Sequence, residues 1–109
     1  MKKLDANAQS KLKKLRKQID AVDREFMKEL SKRFRIVREV GRLKLQQNLP
    51  IVQKSRMNEM LKGRRDDAAR LHLDEKLVYD IFDLIHTASI VCQAEIFKKK
   101  TKTLKKAKK

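Results

Sequence analysis

The chain has 109 residues, 40% of them hydrophobic and 40% charged, with only two Gly and one Pro, which allows one domain at most. The scarcity of Gly, Pro, Tyr and Trp excludes a turn-rich β architecture and points to an all-α fold. A lone cysteine, Cys92, excludes a disulfide framework within the chain and suits a reducing, cytoplasmic setting.

The N-terminal stretch "MKKLDANAQSKLKK" has no apolar region of the kind a leader needs, and no run approaches a membrane span, so a soluble protein without membrane attachment is expected. Helix 1 is expected from about Gln9 to Gln47. Leu12, Leu15, Ile19, Val22, Phe26, Leu30, Val37 and Val40 recur three or four apart and form one apolar stripe. The helix should stop before "NLP", because the residue preceding Pro50 is pushed out of the α region. Helix 2 is expected from about Val52 to Arg70, with Gly63 a weak point, and helix 3 from the N-cap Asp74 to about Lys99. Its apolar face comprises Leu77, Val78, Ile81, Leu84, Ile85, Ala88, Cys92 and Ile96.

The net charge of +16 is unevenly spread. Residues 98–109, "KKKTKTLKKAKK", carry eight Lys and no acid, so half of the excess belongs to a like-charged tail expected to be disordered. Residues 1–97 are then the folded domain. No aromatic side chain interleaves the tail lysines, which disfavours stacking on nucleic-acid bases.

Helix 1 would be on the order of 55 Å long, against a radius of gyration of about 13 Å for a compact domain of this size. Two shorter helices cannot cover such a stripe. A three-helix protomer in an intertwined homodimer solves this, and a plain antiparallel coiled coil is the simpler alternative.

Two cations interrupt the stripe. Arg33 and Lys44 lie within it, roughly 16 Å apart along the axis, and a cation in a helix seam needs a compensating partner. Gln53, Arg56, Met57 and Met60 share one face of helix 2, and Ser89 and Gln93 form an i, i+4 pair at the edge of the apolar face of helix 3. Arg16 lies about 25 Å from Arg33 along helix 1, so it would serve the same small ligand only from the opposite chain of an antiparallel dimer; Asp23 is its alternative partner within the chain. This acid-free set suits a small dianion, since Arg binds carboxylates in a bidentate manner. No phosphate loop, HExxH motif or Cys/His cluster occurs, and His72 and His86 are far apart, so no cofactor or metal is expected.

The run "LRKQIDAVDREFMKELSKRFRIVREVGRLK", the following "LP", the Arg six residues past that Pro, and the later "HLDEKLVYDIFDLI" and "SIVCQ" resemble the all-α chorismate mutases. The resemblance covers about residues 12 to 96. It implies an intertwined homodimer with two active sites, each borrowing an Arg from the neighbouring chain. Arg16 matches the borrowed Arg and Arg33 the in-chain Arg on a substrate carboxylate. Lys44 and Gln93 match the pair on the ether oxygen, and Arg56 and Ser89 match further members of the pocket. Gln53 stands where the family often has Asp, and Met57 where a Glu usually accepts a hydrogen bond from the ring hydroxyl. The implied activity is the pericyclic rearrangement of chorismate to prephenate in aromatic amino-acid biosynthesis. The alternatives are an isochorismate pyruvate-lyase of the same fold and a catalytically weak basic helical binding module.

Overall fold

Asp5 opens the first helix: its carboxylate Oδ1 accepts from the Ala8 N–H at 2.7 Å, satisfying a donor that a helix start leaves unpaired. The computed structural model describes the backbone of residues 5–107 and the side chains of residues 5–100. Three helices follow in order, α1 (Ala6–Gln46), α2 (Lys54–Arg70) and α3 (Glu75–Ala107), so the protein is all-α as its composition implies. The cap at Asp5 carries α1 back to Ala6, before the expected start near Gln9.

Both interhelical turns close in the same way. After α1, Asn48 adopts a left-handed φ of 55°, and the Leu49 N–H donates back to the Lys44 carbonyl at 2.8 Å. After α2, His72 has φ 58°, and the Leu73 N–H donates to the Ala68 carbonyl at 2.9 Å. In each case the bond spans six residues and satisfies a terminal carbonyl, and Asn tolerates the left-handed conformation better than most residues. Asp74 then caps α3 as expected, its Oδ2 accepting from the Leu77 N–H at 3.2 Å.

Two further boundaries differ from expectation. Helix α2 begins at Lys54 rather than near Val52, because Gln53 is its extended N-cap residue at φ −120° and ψ 103°. Helix α3 runs to Ala107 rather than to about Lys99. Nothing in "TKTLKKA" breaks a helix, and lysines near a C-terminus complement the helix dipole. The expectation that no run approaches a membrane span is also corrected, since Glu75–Lys100 is long and apolar enough, at mean hydropathy 1.2. Core helices of soluble proteins share this length and composition but are mostly buried, whereas this segment is 17% buried. Asp80 and Asp83 within the segment would each cost about 2.5–3.5 kcal/mol at a bilayer centre.

The chain divides into two units, one up to Phe34 and the other from Arg35 onward, with α1 contributing to both. In the second unit α2 packs on α3, burying Met60, Ala68 and Val78. The Arg64 guanidinium lies 5.1 Å from the centre of the Phe82 ring, joining the same two helices by a cation–π contact. Much apolar surface stays outside this core. Leu84 on α3 is 71% exposed, and on the first unit's part of α1 Ile19 is 58% and Val22 66% exposed.

Candidate active site

Lys44 stands in the last turn of α1, half-buried, with its ammonium held by two oxygens. It donates to the Ile51 carbonyl at 2.5 Å and to Gln93 Oε1 at 2.8 Å. An ammonium has three donors and no acceptor, so the facing atom of Gln93 must be its oxygen. The amide Nε2 is therefore turned away from Lys44, with its N–H groups left to donate elsewhere. Lys44 likewise keeps one N–H beyond the two bonds named.

Both groups pay for this placement in lost hydration. Desolvation pushes the Lys44 pKa below its ordinary 10.5. The two oxygens that hold it are neutral, so its charge is positioned without being cancelled. Gln93 is 6% exposed, as is Ser89 one turn before it. These two residues were expected at the edge of the α3 apolar face; they are instead among its most buried, while Leu77, Leu84 and Ala88 of that face are exposed. Periodicity groups residues by face, but it does not say which flank a neighbouring helix covers. The Ser89 hydroxyl donates to the Ile85 carbonyl one turn back at 2.8 Å, which fixes its rotamer.

The remaining candidates lie as follows. Gln53 is exposed and precedes α2, so it shares no helical face with Arg56 and Met57; its carbonyl accepts from the Met57 N–H at 3.1 Å. Arg56 is exposed in the first turn of α2, Met57 half-buried, and Met60 buried beneath them. In the other unit, Arg33 is half-buried and Arg16 exposed, in an open depression that Gln9, Leu12 and Asp20 also line. The structure thus brings Lys44 and Gln93 into direct contact across 49 residues of sequence.

Two participants were not foreseen. The Ile51 carbonyl is a backbone group, for which no side-chain pattern could speak. Gly41 lies one turn before Lys44 and is buried against Gln93 and Ile96. A glycine inside a long helical pattern was its only signal.

Residues 15–94 match the family model Chorismate mutase type II. The chain is 39% identical over 70 residues to the T-protein of Haemophilus influenzae, an alignment covering 64% of this chain and 19% of that protein. It is also 39% identical over 72 residues to the T-protein of Enterobacter agglomerans, covering 66% of this chain and again 19% of the relative. The chain thus spans about a fifth of the length of these curated relatives. The family match runs from the residue before Arg16 to the residue after Gln93 and takes in the Lys44–Gln93 contact: the chain belongs to the type II chorismate mutase family.

Proposed function

We propose that the protein catalyses the rearrangement of chorismate to prephenate, and that it does so as a cytoplasmic homodimer. The observation that carries this reading is the part-buried Lys44–Gln93 pair, a cation and an amide fixed against each other with donors to spare. In the reaction the ether C–O bond breaks as a new C–C bond forms, all within one molecule. No nucleophile, proton or electron has to be supplied. Charge builds on the ether oxygen as its bond stretches, so donors aimed at that oxygen bind the transition state more tightly than the substrate. Lys44 and the Gln93 amide N–H fill that role. Arg33, and Arg16 of the partner chain, hold the two carboxylates so that the side chain folds over the ring. Arg56, Ser89 and Gln53 complete the polar lining. The exposed apolar side chains on α1 supply the surface that a second chain would bury.

A second reading, elimination of pyruvate from isochorismate, is favoured by Met57. This half-buried thioether accepts hydrogen bonds poorly where chorismate's ring hydroxyl needs a partner, and isochorismate carries its hydroxyl on the other side of the ether-bearing carbon. The test is to incubate the purified chain separately with each substrate and identify the products. Prephenate from chorismate supports the first reading, pyruvate and salicylate from isochorismate the second. Turnover of neither would sink both.

A further inference from the structure

Glycine is a poor helix former, yet Gly41 sits well inside α1. Its neighbours supply the reason. A Cβ at this position would lie 3.1 Å from Gln93 Cγ and 3.1 Å from Ile96 Cδ1, closer than carbon atoms comfortably approach. Gly63 in α2 is the contrast, since a Cβ there meets nothing within 4 Å. Gly41 and Lys44 are three apart on one face of α1, and Gln93 and Ile96 are three apart on one face of α3. The two pairs meet at a single crossing: Gly41 against Gln93 and Ile96, Lys44 against Gln93.

We propose that Gly41 is a positioning residue for the reaction, its missing side chain leaving the Gln93 side chain the room to lie with its Oε1 on Lys44 Nζ. This rests on the reading of Lys44 and Gln93 as donors to the ether oxygen. The Gln93 Cα is 3.5 Å from the position of the absent Cβ, an ordinary contact, so an added methyl would leave the helix backbones in place. The strain would fall on the Gln93 and Ile96 side chains. Gln93 Cγ leads directly to the amide, so displacing it misaims the donor and loosens the acceptor that holds Lys44.

The experiment compares wild type, Gly41→Ala, Gly41→Ala with Ile96→Val, and Lys44→Ala, each assayed on chorismate. A misplacement of about 1 Å can lower a rate by about 10²-fold, and the shift here is smaller, so Gly41→Ala is expected to lower kcat by about tenfold. KM should change little, because the carboxylate-binding arginines are untouched. The alkaline limb of the pH profile should move to lower pH, since the ammonium loses an acceptor that favours its charged form. The Gln93 side-chain amide resonances should shift as well. Ile96→Val removes Cδ1 and gives the methyl somewhere to go, so the double variant should recover most of kcat.

A Gly41→Ala protein with unchanged kcat, pH profile and Gln93 resonances overturns the inference while leaving the proposed activity intact. Normal turnover in Lys44→Ala overturns the underlying reading instead. Should Gly41→Ala fail to fold and Ile96→Val not relieve it, Gly41 is a packing residue and the positioning role is excluded.

Discussion

In the proposed reaction, Lys44 is the residue on which the chemistry turns. Its ammonium is partly desolvated and oriented by neutral oxygens, so its charge is positioned without being cancelled. Removing one such donor from an oxyanion site lowers kcat by about 10²–10³-fold, and Lys44→Ala is expected within that range in steady-state assays on chorismate. Its pH behaviour follows from the lowered pKa. In the unfolded chain Lys44 titrates at its ordinary 10.5, so between the folded value and 10.5 the unfolded state binds more protons. The burial penalty is fully present at neutral pH and is relieved as pH rises through that window. A bound dianion opposes the shift by favouring the charged form. In kcat/KM, which reports the free enzyme, the alkaline limb should therefore begin below 10.5. Lys44→Arg, whatever turnover it retains, should lose that limb, because a guanidinium does not deprotonate in this range. Met57 tests the other end of the substrate. Burying a hydroxyl without a partner costs about 1–3 kcal/mol, so Met57→Glu should raise kcat/KM for chorismate by about tenfold. The same change should sharpen discrimination against isochorismate, measured by assaying both substrates.

At the scale of the helices, Gly63 offers the plainest stability test. It lies in the interior of α2, and a methyl there meets no atom within 4 Å. Gly63→Ala should therefore stabilise the protein by about 0.5–1 kcal/mol through helix propensity alone, seen as a raised midpoint in urea at constant m-value. The opposite sign is expected at Asp74→Ala, which removes the α3 cap and should cost about 1 kcal/mol. These two residues also show what sequence could reveal. Asp74 before an apolar-periodic run, and Gly63 within one, were legible because each acts through its own helix. Helix order was legible because apolar periodicity fixes faces; periodicity also showed that Lys44 needs a partner, but only the family resemblance paired it with Gln93. The Asp5 cap is equally local but lies ahead of the apolar stripe, which begins only at Leu12, so periodicity does not mark it. The burial of Ser89 and Gln93 beside an exposed Leu84 was not legible, because α3 is apolar over a wide arc and tertiary packing chooses the covered flank. Gln53 was misplaced onto a helical face because the start of α2 has no side-chain cap to mark it.

For the whole molecule, the proposed dimer carries consequences that the protomer alone does not. Leu15, Ile19, Val22 and Phe26 are exposed along one stripe of α1, more contiguous apolar surface than a monomer keeps in water without a reason. If a second chain covers it, folding is linked to association, and the melting temperature should rise with protein concentration across a dilution series. A concentration-independent melt of a folded monomer would contradict the dimer. The sharper question is whether Arg16 acts across the interface, and two inactive variants answer it. Consider Arg16→Ala and Lys44→Ala chains, mixed in equal amounts after unfolding and refolded together. Each homodimer lacks the same essential side chain in both of its sites. In a mixed dimer, the site built on the intact Lys44 receives the intact Arg16 of the other chain, and the remaining site lacks both. Random pairing makes about half of the dimers mixed, so about a quarter of all sites should recover wild-type turnover. An Arg16 serving the site of its own chain predicts no recovery at any mixing ratio, because every site then lacks either Arg16 or Lys44. The recovered fraction thus separates exchange of Arg16 between chains from a dimer that merely hides its apolar stripe.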